Sequence, residues 1–372
     1  MIIKDEIHGN IELNEFEKKI IDTKEFQRLR RIKQLAMTYL VYPSATHTRF
    51  EHAIGTLHIA DRICKKFSIE EELTQKIRLY ALLHDIGHCA FSHESEKVLE
   101  PIVGTHEEIG KRKLLNGELA DILNEQFKPK EIVDIGNSFY GQIVSSDLGA
   151  DRMDYLLRDS RNTGVAYGII DLDRVLHTLF LDEKKKLMGI DSSGLEAAES
   201  ILIARFMMFS TVYLHHTVRI ASAMIQRAIY SAIKNGLSPE HFLDLSDEEA
   251  LLALFNSGNE DAKFFADSLS NRKLLKAAYK FNYSKGFDKN SSKIESSLQS
   301  QAKGKILIDL PPTFSKPVSI VVNLEGTYTP LKQLSQLVQS LESAEESRKQ
   351  ILILSEEFER EKIAKLSEKL FS

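Results

Sequence analysis

The feature that most constrains this chain is an apolar run, residues 81–93, that delivers three histidines and an aspartate. Its sequence is Ala-Leu-Leu-His-Asp-Ile-Gly-His-Cys-Ala-Phe-Ser-His. Burying so many polar side chains is unfavourable unless each finds a partner. His84 and Asp85 offer two metal-ligand types at one point of the backbone, and Gly87 permits a helix end or a sharp bend directly after them. The run therefore predicts half of a metal site, whose other ligands must come from elsewhere in the chain.

The rest of the composition bounds the class of protein. The 372 residues can bury a sizeable core, and residues 1–6 lack the basic and apolar pattern of a signal peptide. Since no apolar run reaches about 18 residues, we expect a cytoplasmic protein without a membrane partner. The net charge of -5 does not indicate nucleic-acid binding, although a basic cluster at 28–33 leaves it open. Cys64 and Cys89 lack a CxxC pattern and are expected in the core.

Apolar residues recur at helical spacing through most of the first 235 residues, after a hairpin or extended arm at 1–14. A hairpin at 179–190 and a long helical stretch at 195–233 are expected within this part. From 281 to 304, Asn, Ser, Lys and Gln predominate, which predicts a mobile linker. The C-terminal part predicts strands at 305–310, 318–323 and 350–354, and helices at 331–341 and 357–370.

These patterns predict a mainly α fold. The expected organisation is a helical core with an N-terminal arm over 1–235, a helical and loop segment with the linker over 236–304, and a small α+β region over 305–372.

Two further segments carry polar side chains that share a helix face. In the first, Arg49 and His52 are three residues apart; the second contains Asp151, Tyr155, Arg158 and Asp159. Taken alone, either segment could be an ordinary surface helix. Together with the run 81–93, they provide further histidine and aspartate side chains as candidates for the missing ligands.

Six ordered motifs resemble those of the HD-domain deoxynucleoside triphosphate triphosphohydrolases, the family of the dGTPase-like enzymes and of those with a SAM and an HD domain. They are 5–9, 21–30, 32–35, 49–52, the run 81–93 and 151–159. The resemblance implies a helical HD-domain core with one divalent metal ion per subunit, held by His52, His84, Asp85 and Asp151. Such a set of two imidazoles and two carboxylates suits Mn, Fe, Zn, Ni or Mg and does not select among them. It also implies hydrolysis of deoxynucleoside triphosphates to deoxynucleoside and tripolyphosphate, with water attacking the α-phosphorus. Mg²⁺ on the substrate phosphates is a further cation that it allows.

The resemblance also suggests roles for individual side chains. His93, His106 and Glu96 match residues that assist the attack, and His88 matches a phosphate contact, with a ligand of a second metal as the alternative. The remaining substrate residues fall into cations on the polyphosphate (Arg49, Arg152, Arg205), contacts to the sugar (Gln34, Tyr155, Asp159) and a wall against a 2′-hydroxyl (Leu35, Tyr213). His47, His58 and His177 are expected at ordinary packing or surface positions.

Asp22, Gln27 and Arg30 match positions at which some triphosphohydrolases bind an activating nucleotide between subunits. That interpretation predicts a homo-oligomer, a dimer or a tetramer, whereas the alternative is an interhelical salt-bridge network.

Two other functions remain open. The same site could act on a nucleoside monophosphate or a cyclic dinucleotide, or the chain could be a catalytically weak oligomer that binds nucleotides or nucleic acid. Three arginines near the motifs favour a highly charged polyphosphate. The complete set of four ligand residues argues against a binding role alone.

Overall fold

Helices dominate the computed structural model, which describes residues 1–284, 286–311 and 318–371, and the expectation of a mainly α fold is confirmed. In the first 208 residues the helices are α1 (Glu15–Ile21), α2 (Lys24–Arg28), α3 (Arg49–Lys66), α4 (Glu71–Leu83), α5 (His93–Val103), α6 (His106–Leu115), α7 (Glu118–Leu123), α8 (Pro129–Asn137), α9 (Gln142–Ser145), α10 (Ala150–Thr163), α11 (Leu172–Thr178) and α12 (Leu195–Met208). They are followed by a π-helical turn (Phe209–Tyr213), α13 (His216–Lys234), α14 (Pro239–Phe242), α15 (Asp247–Phe255), α16 (Glu260–Ser270), α17 (Asp288–Gln299), α18 (Leu331–Leu334), α19 (Gln336–Ser347) and α20 (Arg360–Phe371).

The strands are short. They are β1 (Ile2–Asp5), β2 (Gly9–Glu12), β3 (Leu179–Asp182), β4 (Leu187–Asp191), β5 (Lys276–Asn282), β6 (Ile306–Asp309), β7 (Val321–Leu324), β8 (Thr327–Pro330) and β9 (Gln350–Ser355). Both predicted hairpins, β1–β2 and β3–β4, are present. The predicted helical stretch 195–233 is broken by the π-helical turn, after which His215 caps α13.

The described residues fall into two compact units that alternate along the chain. The first unit comprises Met1–Phe209, Ser238–Ala250 and Pro317–Gln339, and the second comprises Ser210–Leu237, Leu251–Lys316 and Ser340–Ser372. Neither unit is therefore a run of consecutive residues.

The first unit is built around α3, which packs against α4 and α10. A capping box between Thr48 and Glu51 fixes the start of α3. Its Gly55 allows α10 to approach closely, because a Cβ there would lie 1.9 Å from Oδ1 of Asp154. At the end of α10, Gly164 takes the left-handed conformation with φ 73°, which terminates the helix. A four-stranded sheet of order β3-β4-β7-β8, in which β4 and β7 are parallel, completes this unit.

The second unit contains an antiparallel sheet of order β5-β9-β6. Its core cluster consists of Leu298, Ile306, Ile353 and Ile363. Leu298 lies on α17 and Ile363 on α20, so these two helices supply the apolar side chains that pack on the sheet.

The predicted linker over 281–304 is wrong, because this segment contains the end of β5 and the whole of α17. Its polar composition reflects a largely exposed helix whose anchors are few. Leu298 is buried, while Glu295 and Gln299 accept hydrogen bonds from the backbone N–H groups of Ile308 and Ile306 on the edge strand β6, at 2.8 and 3.0 Å. Lys285 in the predicted linker, and residues 312–317 and 372 in the predicted C-terminal region, lie outside the described residues.

Within the described part of the chain, no single helix is long and apolar enough to cross a membrane. The bent pair Ser192–Tyr213 and His216–Lys234 reaches that length and apolar composition only when the two segments are taken together. Cys64 and Cys89 are buried and free, as expected.

Candidate metal centre

Four side chains converge in the first unit where α3, the end of α4 and the first turn of α10 meet. Nε2 of His52 lies 3.1 Å from Oδ1 of Asp151 and 3.7 Å from Oδ2 of Asp85. Nε2 of His84 lies 3.4 Å from Oδ1 of Asp85 and 3.9 Å from Oδ1 of Asp151. Ligand atoms that are each about 2.1 Å from a common ion are about 3.0–3.4 Å apart, so the shorter of these separations match a shared cation.

The two imidazoles are oriented for coordination. Nδ1 of His52 donates to Oδ2 of Asp154 at 2.8 Å, and Nδ1 of His84 donates to the carbonyl oxygen of Ala81 at 2.8 Å. Because both partners can only accept, each imidazole carries its proton on Nδ1 and directs the lone pair of Nε2 into the centre. Both Nε2 atoms are buried without a hydrogen-bond partner among the described residues. The donor set therefore fits a divalent metal ion.

The charges around the centre also favour a cation. Burial alone would lower the pKa of His52, but its hydrogen bond to Asp154 and the adjacent carboxylates of Asp151 and Asp85 raise it to about 10. Burial would raise the pKa of Asp85, yet the charges of His84 and Arg49 hold it well below its usual range. The carboxylates thus stabilise positive charge at this point, so a metal ion would bind here in exchange for a proton.

Behind the centre lies a buried network that the sequence patterns did not reveal. Asp154, fully buried, accepts hydrogen bonds from Nε2 of His8 at 2.7 Å and from Arg158 at 2.9 Å, besides the one from His52. Arg158 in turn donates to Asp5 at 2.9 Å. The network fixes His52. The i, i+3 spacing at the start of α10 places Asp154 beside Asp151, but it does not point to His8 or Asp5.

A second group of side chains is formed by His88, His93, Glu96 and His106. Glu96 accepts from Nδ1 of His93 at 2.9 Å and from Nδ1 of His106 at 2.6 Å. The rings of His88 and His106 stack with centroids 4.0 Å apart. These four side chains could also hold a cation, so the alternative of a second metal keeps its support.

Two local features bring this group together. Phe91 and Ser92, directly before α5, both have positive φ, 60° and 53°, which turns the chain sharply into His93. On the other side, Gly87 packs against α6: a Cβ there would lie 2.0 Å from the carbonyl oxygen of His106 and 2.4 Å from the backbone nitrogen of Gly110. Gly87 is thus required for the close approach of α6, which carries His106.

The three arginines predicted to bind polyphosphate have different surroundings. Arg49 is buried, donates to Asp85 and contacts Oγ of Ser92 at 2.8 Å. Arg152 forms an ion pair with Asp147. Arg205 is buried, and its Nη2 has no hydrogen-bond partner among the described residues.

The residues predicted to bind the sugar also lie in the first unit, except Tyr213. A bridge between Lys33 and Thr48 and a hydrogen bond of 3.0 Å from the backbone of Gln34 to that of His47 hold Gln34 near the start of α3. The Oε1 atom of Gln34 is buried without a partner in the described part of the chain.

His47 and Asp159 are fixed to one another, with Nε2 of His47 2.7 Å from Oδ1 of Asp159. His47 is buried, and through this contact it fixes Asp159. Leu35 is half-buried directly before a short 3-10 helix. Tyr155 lies on α10, and burial raises the pKa of its hydroxyl. Tyr213 belongs to the second unit.

The residues predicted to bind an activating nucleotide share one cavity of about 420 Å³, whose wall includes Asp22, Gln27, Arg30 and Phe50. Nε of Arg30 donates to Gln27 at 3.0 Å, and its guanidinium lies 3.5 Å from the ring centroid of Phe50. The contacts of Arg30 are therefore a hydrogen bond and a cation–π interaction.

Comparison with known proteins decides the family. The family model of the HD domain matches residues 49–159, and that of the HD associated region matches residues 170–372. The chain belongs to the HD-domain family. An uncharacterized protein from Methanocaldococcus jannaschii is 40% identical over 366 residues, covering 92% of this chain and 76% of the relative. A structure of a hypothetical protein from Aquifex aeolicus has a TM-score of 0.81 at 30% identity and covers 98% of this chain and 99% of its own.

The HD-domain relatives include enzymes named for nucleotide hydrolysis. The deoxynucleoside triphosphate triphosphohydrolase SAMHD1 homolog from Dictyostelium discoideum is 30% identical over 277 residues, covering 66% of this chain and 53% of the relative. The chain thus spans about half the length of that enzyme. The family match identifies the chain as an HD phosphohydrolase, and its His and Asp groups could hold a divalent metal ion.

Proposed function

We propose that this protein is a metal-dependent triphosphohydrolase that converts deoxynucleoside triphosphates to deoxynucleoside and tripolyphosphate. The observation that carries the proposal is a set of buried polar atoms without partners among the described residues: Nε2 of His52, Nε2 of His84, Oε1 of Gln34 and Nη2 of Arg205. Leaving such atoms unsatisfied is costly. Two of them suit a cation, one suits a hydroxyl donor and one suits an anion, which together describe a metal, a sugar and a phosphate.

His52, His84, Asp85 and Asp151 would hold the metal ion, which when bound polarises phosphate oxygens and lowers the pKa of water. Arg49 adds a fixed positive charge, because it is buried with its guanidinium against Asp85. Its ion pair with Asp85 and its contact to Ser92 keep this charge beside the reacting phosphate.

The reaction requires a proton for the leaving group. Water oxygen bonds to the α-phosphorus and loses a proton, the bond from that phosphorus to the 5′ oxygen breaks, and the 5′ oxygen takes up a proton, so that the number of protons is conserved. His93 and His106 can deliver it from Nε2, because Glu96 accepts from Nδ1 of both. Burial would lower the pKa of His106, but the hydrogen bond to Glu96 raises it. This imidazole therefore stays protonated to higher pH than a free histidine does.

Arg152 and Arg205 would bind the β- and γ-phosphates, and the substrate would then replace part of the pairing of Arg152 with Asp147. Asp159, held by His47, and Gln34 would bind the 3′-hydroxyl. Leu35 would crowd a 2′-hydroxyl and so favour deoxyribose.

The cavity with Asp22, Gln27 and Arg30 would bind an activating nucleotide, and the active form would be a homo-oligomer. The stacking of Arg30 on Phe50 supports this role over a salt-bridge network, since it presents a flat cationic surface to a base.

The test is to incubate the purified protein with Mn²⁺, Fe²⁺, Zn²⁺, Ni²⁺ or Mg²⁺ and with each dNTP and NTP, and to resolve the phosphate products. Tripolyphosphate release from dNTPs is expected. Release of pyrophosphate or orthophosphate, or turnover of a monophosphate or cyclic dinucleotide alone, would point to a different hydrolase, and silence with every metal and nucleotide would favour a binding protein.

Variants separate the roles of the two groups of side chains. His84→Ala and Asp151→Ala are expected to lose both bound metal and turnover, whereas His93→Ala should keep the metal and lose most turnover. His177→Ala, which removes an exposed histidine at the end of α11, is the control and should change neither. Two metal ions per chain in the wild type, with one lost in His93→Ala, would instead favour the two-metal alternative.

A further inference from the structure

The turn that leads into α5 is conformationally unfavourable and needs external support. Phe91 and Ser92 are consecutive residues other than glycine with positive φ, a conformation that costs free energy at each position and persists only when the surroundings impose it. His93 is the next residue and the first of α5. The position of its imidazole therefore depends on whatever holds this turn.

Asp247, at the start of α15, makes contacts that hold the turn. Its Oδ1 accepts from the backbone N–H of Phe91 at 2.9 Å, and its Oδ2 accepts from the backbone N–H of Lys33 at 3.0 Å. The carboxylate is 4% exposed, so each of these hydrogen bonds is made away from solvent. One side chain thus ties the segment before His93 to the segment before Gln34.

A chain of hydrogen bonds continues from this point to the metal centre. Oγ of Ser92 donates to the carbonyl oxygen of Lys33 at 3.0 Å and accepts from Nε of Arg49 at 2.8 Å. Arg49 in turn contacts Asp85. Asp247 thereby completes a ring of hydrogen bonds around the turn. From Ser92 in that ring, Arg49 leads to Asp85, a predicted metal ligand.

The start of α15 is itself fixed, which makes Asp247 a rigid support. Ser246 and Glu249 form reciprocal hydrogen bonds, with the backbone N–H of Ser246 donating to Glu249 at 2.8 Å. Leu245 adds a second tie, since its carbonyl oxygen accepts from Arg28, which also donates to the carbonyl oxygen of His88 at 2.7 Å. The segment Ser238–Ala250 therefore braces the loop 86–92 at both ends.

We infer that Asp247 is a positioning residue for hydrolysis: it holds the strained Phe91–Ser92 turn and through it sets His93 and Arg49 against the substrate. The kinetic part of this inference rests on the proposed function. Asp247 itself touches neither substrate nor metal. Its loss is expected to lower turnover while leaving the four metal ligands in place.

The experiment compares Asp247→Asn with Glu248→Gln in the full chain. Asn keeps the volume and one accepting oxygen, so it preserves one of the two backbone ties. Glu248 is the matched control: it is the next residue on α15 and contacts the same lysine, with its Oε1 2.8 Å from Nζ of Lys33, but it is exposed and does not reach the turn. The readouts are kcat, KM, metal per chain and hydrogen–deuterium exchange of the peptide 86–94.

In Asp247→Asn, kcat should fall about 100-fold, as expected for a misplaced catalytic group, with KM and metal content unchanged and exchange of 86–94 faster. Glu248→Gln should match the wild type in all four. Wild-type kcat in Asp247→Asn, or loss of metal together with turnover, would overturn the inference.

The two proposals can fail separately. If the wild type releases no tripolyphosphate, the proposed function fails, and Asp247 is then judged on exchange: faster exchange of 86–94 in Asp247→Asn alone supports the positioning role. Equal exchange in both variants refutes it.

Discussion

Asp154 is the side chain on which the orientation of the centre depends most. It accepts hydrogen bonds from His8 at 2.7 Å, from His52 at 2.8 Å and twice from Arg158 at 2.9 Å. Each carboxylate oxygen of Asp154 accepts from one histidine and from one Arg158 nitrogen. In Asp154→Asn, an NH2 group that cannot accept replaces one of these oxygens, whichever way the amide is oriented. Two hydrogen bonds to a charged group are lost, each worth about 1.5–3 kcal/mol.

The expected loss of stability is therefore roughly 3–6 kcal/mol, similar to the roughly 3–5 kcal/mol for breaking a buried ion pair. Loss of the carboxylate also makes His52 a weaker ligand, which should lower metal affinity about 10–100-fold. Urea unfolding gives the first quantity, and metal titration of the folded protein against a chromophoric chelator gives the second.

Asp173→Asn is the matched control, because Asp173 pairs with Arg62 in an exposed setting. Its free energy of unfolding should stay within about 0.5 kcal/mol of wild type. If Asp154→Asn lost less than about 1 kcal/mol and bound metal with wild-type affinity, the buried network would not orient His52 and the reasoning would be refuted.

Two further variants probe the group around His106. Glu96→Gln removes the carboxylate that raises the pKa of His106, so His106 would lose its proton at lower pH. The decline of kcat with rising pH should therefore begin at lower pH than in the wild type. An unchanged pH profile of kcat would contradict the proton-donor role. Gly87→Ala should lower kcat about 100-fold by displacing α6. Gly110→Ala, on the other side of the same contact, should be tolerated, because its Cβ would lie no closer than 3.5 Å to its nearest neighbour. Equal kcat in the two variants would show that the contact does not position His106.

The residues that bear the chemistry could be found from the sequence because their types and order are unusual. His52, the run 81–93 and Asp151 stand out locally, and each lies at a helix end or on a helix face that the apolar spacing already indicates. Their convergence in the structure needed only the packing of α3 against α4 and α10. The supporting residues are different: His8 and Asp154 are 146 residues apart, and Phe91 and Asp247 are 156 apart. No local pattern pairs residues over such separations.

The segment 281–304 failed for a related reason. Composition averages over all side chains of a segment, whereas the position of α17 is determined by a few of them. Leu298 supplies apolar contact, and Glu295 and Gln299 satisfy the backbone of β6. The Ser, Lys and Asn residues that the structure describes in this segment are mostly exposed and do not oppose folding. The amino-acid composition of a helix with so small an apolar face is similar to that of a linker. Only the strand that the helix covers distinguishes the two.

The hydrogen bonds of the buried acidic side chains separate support from chemistry. Asp154 and Asp247 use both of their oxygens on protein donors, and so serve to fix other groups. At the centre, in contrast, Nε2 of His52 and of His84 are buried without partners in the described part of the chain. A folded protein tolerates that cost where a ligand removes it. The two predicted histidine ligands thus differ from the carboxylates that support them, because their Nε2 atoms have no protein partner among the described residues. It follows that substituting a supporting carboxylate should change geometry and stability before it changes the number of metal ligands.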